Sequence, residues 1–364
     1  MNRPTTVSLF SGCGGADLGA KRAGADIIFA NDNRHDAVAT YVKYKDLLTF
    51  GDPKIQSGDV AKIKAFPTCE LVLGCYPCQS FTMGGPRSPH ADPRSNLFVH
   101  FERCLAAANP RFFVTENVPG LAWLNSGRHL RAQIRSLRKA GKGYNISSEL
   151  VDAKGYGVPQ ARERIFIVGV RKDVGLHYWF PRPKHGPPNG GLLPWASHGD
   201  AIAHLPSEAS GEYYDYPKQP FSWWYMSRNR KRRWEEPSFA IQANWRHVPL
   251  HPASPTMRLV ESNLKDGSKQ RWEFTGEYNH LQGHPERPSL GKPRRLSWRE
   301  CAAIQTFPAD FEPCGSLESK YWQIGNALPP LLMEAIVRPI VDGTGLRPDP
   351  YSARAESLVR RLHE

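Results

Sequence analysis

Five short apolar runs punctuate the first half of the chain: TTVSLF, DIIFAN, ELVLGC, RFFVTEN and RIFIVGV. Each is rich in Val, Ile, Leu or Phe and bounded by turn residues, which predicts buried strands. Stretches of helical period lie between them. In SGRHLRAQIRSLRKAG, Leu130, Ile134 and Leu137 fall on one face and basic residues fill the other. Alternation of strand and helix predicts an α/β fold with a mostly parallel sheet.

The pattern dissolves after Pro181. PRPKHGPPNGGLLP reads as loops, and the region behind it is rich in Trp, Tyr, His and Arg without a long period. A second Pro-rich stretch, HPERPSLGKPRR, closes this region, and SWRECAAIQTF and LPPLLMEAIVRPIV then read as helices. The expected plan is an α/β domain over 1–178, an irregular insert over 179–293, and a return to the first domain over 294–364. No internal repeat is visible.

Composition narrows the possible functions. The 364 residues are 40% apolar, enough for a sizeable core. No stretch is read as a membrane span, and the N-terminus runs directly into a strand and glycines, so a cytoplasmic protein is expected. Seven scattered cysteines should then be thiols. A formal charge of +13 and a pI near 9.5 favour a polyanionic partner, nucleic acid above all.

The candidate chemistry sits at the ends of the runs. In FSGCGGADLG, Gly12 and Gly14 permit a tight strand-to-helix turn and close approach of a ligand to the backbone. Asp17 stands where the dinucleotide fingerprint needs its third glycine, which argues against a pyrophosphate cofactor. Asp32 closes the second run, where an acid can bind ribose hydroxyls, and Asp59 could reach an adenine amino group. An ordinary glycine turn is the alternative. In GCYPCQSF, Cys75 and Cys78 form a C-x-x-C with no second ligand pair for zinc, so no metal is expected. Cys78 behind the stiff Pro77 is either a nucleophile or a buried core thiol. Glu116 in TENV is either an active acid or a cap. Arg162 and Arg164 in QARER share a strand face, and could equally be solvated charges on an edge strand. Most of these positions follow the carboxyl ends of predicted strands, and in an open parallel sheet that edge forms one crevice.

FSGCGG, PCQSF, ENV, QARER, RRLSWRECAAIQTFP and YWQIGNALPP, in this order, resemble the blocks of the DNA cytosine-5 methyltransferase family. The resemblance implies a Rossmann-like S-adenosylmethionine-dependent fold with helices on both faces of the sheet. In it, 1–178 is the catalytic domain, 179–293 the target-recognition domain and 294–364 the C-terminal return. By the same resemblance Cys78 is the thiolate that adds to cytosine C6, and Glu116 bonds N3 and the exocyclic amine. Arg164 holds O2, Arg162 helps to position the flipped nucleotide, and Gly84, Gly85 and Pro86 belong to a loop that closes on DNA. The cofactor contacts implied are Phe10, Gly12, Gly14, Asp32, Asn33, Asp59, Pro77, Leu97 and Asn326. Asn33 replaces the aromatic or apolar residue that many relatives carry after the acid.

MSRNRKRRWEEPSFAIQANWRHVPLHP resembles the recognition segment of restriction–modification methyltransferases that act on GGCC. The resemblance makes Arg228, Arg230 and Arg246 readers of guanine, for which bidentate arginine pairing is suited. Phosphate contacts are expected among Lys231, Arg232 and Arg233. Trp245 stands beside Arg246 where a small residue is common, and could shift that arginine or touch a flanking base. The extra stretch VESNLKDGSKQRWEFTGEYNH departs from the pattern. The implied partner is double-stranded DNA, with no membrane and no stable protein partner. A cognate endonuclease would act on the same site.

Overall fold

The computed structural model describes residues 3–76, 97–206, 211–214, 220–264, 270–278, 290 and 292–349. The chain divides into two compact units. Unit 1 comprises 1–152, 163–182 and 330–364, and unit 2 comprises 153–162 and 183–329. The chain thus re-enters unit 1 at Pro330, later than the expected boundary at Arg294, and the short passage 153–162 belongs with the insert.

Unit 1 is built on a seven-stranded sheet of β1 (Thr5–Leu9), β2 (Asp26–Asp32), β3 (Lys54–Ser57), β4 (Leu71–Gly74), β5 (Phe112–Asn117), β6 (Tyr144–Asp152) and β8 (Glu163–Arg171). The order is β3-β2-β1-β4-β5-β8-β6. The first five strands in that order are parallel, and β8 and β6 add antiparallel pairings. This is the mostly parallel sheet that the alternation predicts, and it is consistent with the Rossmann-like fold that the resemblance implies. Two strands escape the apolar pattern. β3 is short and only half buried, and β6 is a polar edge strand. Neither position gives the continuous apolar run by which buried strands are recognised.

The helices of unit 1 are α1 (Gly15–Ala23), α2 (His35–Lys43), α3 (Lys45–Leu48), α4 (Leu97–Ala108), α5 (Gly120–Trp123), α6 (Arg128–Leu137) and α10 (Pro330–Val341). Val7, Leu9, Phe29, Val72, Phe101, Phe113, Tyr144 and Ile167 form the core. Phe113 packs edge-on to Phe101 and Tyr144 at 5.7 and 4.9 Å. It lies over Gly169 of the facing strand, where a Cβ would strike its ring.

Unit 2 holds the two-residue strand β7 (Gln160–Ala161), α7 (His198–Ile202), α8 (Trp298–Ile304) and α9 (Leu317–Asn326). Its centre is polar. Arg294 makes a bidentate pair with Glu300, at 2.8 and 2.7 Å. Glu300 also closes the capping box with Ser297 that starts α8. His251 lies 3.4 Å from the same carboxylate. Buried charge is tolerable only when paired and hydrogen-bonded, and here it is. Arg294 and His251, with the Ser297 backbone, overcome the burial penalty and hold the Glu300 carboxyl down to about 2.

By length and composition Leu317–Val341 is apolar enough for a membrane span, contrary to the expectation that no stretch would be. It is two helices, α9 and α10, broken at 327–329, and 61% of the apolar window is buried within the protein. That fits core packing.

Candidate active site

The turn after β1 is held in an unusual backbone conformation. Phe10, Gly12 and Gly14 have φ of +58°, +55° and +90°. The left-handed region is open to glycine and costly for Phe10. A Cβ on Gly14 would collide with Leu48, whereas among the described residues nothing lies within 4 Å of one on Gly12. Open space beside a bare backbone is what an approaching ligand requires.

Asp32 at the end of β2 organises this turn. Its Oδ2 accepts from Gly12 N and its Oδ1 from Arg34 N, both at 2.9 Å. Burial pushes its carboxyl up, and backbone N–H groups of Arg34, Gly12 and Asn33 oppose the shift. Asn31, buried beside it, donates to Gln56 O and Gly58 O and ties β3 to the same edge. Asn33 is exposed. Asp59 is exposed too, and caps the short helix at 60–62 by accepting from Ala61 N. Leu97 opens α4 and packs against the core. The open backbone at Gly12 and the anchored acid beside it fit an adenosine-containing ligand.

Asp17 explains the departure from the dinucleotide fingerprint. Its fully buried carboxylate accepts from Ser8 Oγ and Tyr41 OH, both at 2.6 Å, and so joins α1 to β1 and α2. Burial raises its carboxyl to about 6, against the two hydroxyls that lower it.

Glu116 and Arg164 meet across the antiparallel β5–β8 pair, with Arg164 Nε 2.7 Å from Glu116 Oε1. Both are largely removed from water, at 12% and 15% exposure. Burial lowers the Arg164 pKa, and the Glu116 carboxylate opposes that shift. Arg164 also donates to Glu163 O at 2.7 Å. A carboxylate and a guanidinium so placed offer an acceptor and donors to the edge of a planar heterocycle.

Sequence reasoning passes over Asn117. Its Oδ1 accepts from Val118 N and its Nδ2 donates to Tyr76 O at 3.4 Å. Tyr76 is the last described residue before Pro77, and its hydroxyl donates to Gln133 Oε1 of α6. Phe10, Phe98 and Phe101 surround its ring at 6.2, 5.8 and 5.8 Å. Burial, with the charges of Glu116 and Asp17, pushes the Cys75 thiol well above its ordinary value, so Cys75 is no ready thiolate. Pro77, Cys78, Gly84, Gly85 and Pro86 lie outside the described residues.

Arg162 and Arg164 part company. Arg162 belongs to unit 2, where its buried guanidinium donates to Ile241 O, Gly325 O and Ala327 O. It thus holds backbone carbonyls of unit 2, whereas Arg164 meets Glu116 in unit 1. Asn326 ends α9 in the same unit and donates to Trp322 O.

The recognition arginines divide as well. Arg228 and Arg246 are exposed. Arg230 is buried, donates to Tyr225 O and His247 O, and lies 4.9 Å over the Tyr225 ring. Its guanidinium is thus engaged by backbone carbonyls, unlike those of the exposed Arg228 and Arg246. Lys231 is likewise buried, with its Nζ donating to Pro252 O at 2.7 Å. Trp245 is buried and stacked on Tyr214 at 3.8 Å. Described parts of the extra stretch fall in two antiparallel strands, Pro255–Ser262 and Gln270–Tyr278, with Phe274 against Phe221.

Residues 5–342 match the family model for C-5 cytosine-specific DNA methylase. The chain is 36% identical to the type II methyltransferase M.BsuRI of Bacillus subtilis, covering 92% of this chain and 79% of that one. It is also 36% identical to M.MthTI of Methanothermobacter thermautotrophicus, covering 92% and 96%. The fold is similar to that of S. pombe Dnmt2 methyltransferase, with a TM-score of 0.60 at 17% identity, covering 94% and 99%. It is similar again to the Entamoeba histolytica methyltransferase EhMeth, with a TM-score of 0.62 at 14% identity and the same coverage. With its strand-end acid, bare glycine turn and buried carboxylate–guanidinium pair, the chain belongs to the C-5 cytosine-specific DNA methylase family, enzymes that use S-adenosylmethionine as methyl donor.

Proposed function

We propose that the chain methylates C5 of cytosine within a short GGCC-type palindrome in double-stranded DNA, as the modification half of a restriction–modification system in the cytoplasm. A cognate endonuclease would cut the same sequence when it is unmodified. The observation that carries the chemical reading is the buried Glu116–Arg164 pair at 2.7 Å.

Cytosine C5 is a poor nucleophile, and its ring is inaccessible inside a stacked duplex, so the base must be flipped out. The Cys78 thiolate then adds to C6, forming an S–C bond and pushing electron density to C5. Glu116 holds N3 and the exocyclic amine and stabilises charge or a proton at N3, while Arg164 binds O2. S-adenosylmethionine supplies an electrophilic methyl on a sulfonium. Phe10, Gly12, Gly14, Asp32, Asn33, Asp59, Pro77, Leu97 and Asn326 would hold it, with Asp32 binding the ribose. On transfer to C5 the methyl–sulfonium bond would break, releasing S-adenosylhomocysteine; a base would then remove the C5 proton, and the returning electron pair would expel Cys78 as thiolate. By the family resemblance, Arg162 would help to position the flipped nucleotide. Arg228 and Arg246, both exposed, read guanines.

Bisulfite sequencing of plasmid DNA from an expressing host tests target base and site together. The expected result is 5-methylcytosine in GGCC, lost on Cys78→Ala and kept on Cys75→Ala. A duplex carrying 5-fluorocytosine should trap a covalent adduct with the unaltered protein only. Normal turnover by Cys78→Ala would end the covalent mechanism, and methylation confined to other sequences would end the GGCC assignment.

A further inference from the structure

Helix α6 carries cations where folding gives no reason for them. Leu130 and Ile134 pack against the core and Leu137 is fully buried, which fixes the inward face. Arg128, Arg131, Arg135 and Arg138 recur three and four residues apart, the spacing that lines up side chains along a helix. All four are exposed, as are Lys139 and Lys142 beyond them. No Asp or Glu occurs from Val118 to Ser148. Among the described residues, the ion pair recorded for this run is Lys142 with Asp173, at 4.0 Å. Like charges at this spacing oppose helix formation, and Arg128 and Arg131 sit in the first turn, where the helix dipole disfavours cations.

The stripe begins near the proposed chemistry. α5 follows β5 directly, and β5 carries Glu116 and Asn117 at its carboxyl end. Trp123, the last residue of α5, is 69% exposed. Gly127 joins the two helices at φ +73°, and the Arg131 guanidinium lies 3.2 Å from where its Cβ would be. Arg131 is therefore folded over the junction. From Arg128 to Arg138 the helix rises about 15 Å, which spans several base pairs at ~3.4 Å each along one strand.

We propose that this face of α6, with Trp123 at its head, binds the phosphate backbone of duplex DNA outside the methylated sequence. It rests on the membership of the chain in a DNA methylase family, and assigns sequence-independent affinity to unit 1, apart from the recognition insert. Charge complementarity selects the occupant: an acid-free row of guanidinium groups matches a row of phosphates.

The test compares the full chain with the triple variant Arg131→Gln, Arg135→Gln, Arg138→Gln. Binding to a duplex of about 40 base pairs lacking the methylated sequence is followed by fluorescence anisotropy across salt concentration. The triple variant should bind more weakly, and its slope of log affinity against log salt should be smaller by about 2.7, three phosphates at ~0.9 each. Between ~50 and ~200 mM salt its affinity should fall about 40-fold less than that of the unaltered chain. The triple Arg→Lys variant should restore both, and kcat on a short duplex carrying the site should be unchanged. Unaltered affinity and slope in the Gln variant, with its thermal midpoint preserved, would overturn the proposal and leave the methylase reading standing. If the unaltered chain does not bind this duplex, the proposal falls, and bisulfite sequencing decides the methylase reading independently.

Discussion

Arg228, Arg230 and Arg246 look alike in sequence and differ in space. Arg230→Ala removes two bonds to carbonyls and the packing on Tyr225, and should destabilise the fold by about 2–4 kcal/mol in chemical unfolding. Arg228→Ala and Arg246→Ala should leave stability within about 0.5 kcal/mol. Each should instead cost about 1–3 kcal/mol in binding the cognate site, read by competition titration. Equal losses on cognate and unrelated DNA would make them phosphate contacts. Asp17 gives a pH signature. Its carboxyl is raised to about 6 by burial, while an unfolded Asp titrates near ~3.9. The folded protein therefore holds this proton more tightly. The contribution to stability is complete below pH ~4 and is lost as pH rises through about 6. Over that window the unaltered protein should lose roughly 2–3 kcal/mol relative to Asp17→Asn, as read from denaturant midpoints. Parallel profiles for the two proteins would contradict it.

At the scale of elements, α1 packs closely on α10 through Gly19. A Cβ there would collide with Pro330 O and come within 2.8 Å of Glu334 N and of Met333 Cβ. Backbone cannot rotate away as a side chain can, so Gly19→Ala should cost about 3 kcal/mol despite the better helix propensity of alanine. Gly51→Ala, where a Cβ meets nothing within 4 Å among the described residues, is the control and should fall within about 0.5 kcal/mol. A neutral Gly19→Ala in thermal unfolding would mean that the two helices separate at small cost. The same packing shows what local pattern conceals. Helical period marks LPPLLMEAIVRPIV as a helix, but only the bare face of Gly19 shows which helix it meets. The edge strands β3 and β6 stay hidden for the complementary reason, because half-buried positions leave a weak apolar signal.

Across the whole molecule, ligand binding and folding are linked. Titration with S-adenosylmethionine to about a hundred times its Kd should stabilise the chain by about 2.7 kcal/mol. Asp32→Ala should weaken that binding by ~1.5–3 kcal/mol. It should also lower stability without ligand, since Gly12 N and Arg34 N lose their acceptor. Calorimetry and thermal unfolding read the two effects separately. Unchanged cofactor affinity with a lowered midpoint would make Asp32 purely structural.

The order of the blocks, the alternation of strand and helix, and acids at the ends of β2 and β5 are properties of local sequence. Periodicity, turn chemistry and motif spacing involve neighbouring residues only, so the α/β class, the glycine turn and the Glu116 candidate are legible in the sequence alone. Tertiary structure decided the rest. It separated Arg164, paired with Glu116, from Arg162, which donates to carbonyls brought from Ile241, Gly325 and Ala327. It buried Arg230 and left Arg246 exposed, and it turned Asp17 from a missing glycine into the anchor of Ser8 and Tyr41. Whether a charged side chain meets water, substrate or a backbone carbonyl depends on segments remote in sequence, and no local pattern carries that information.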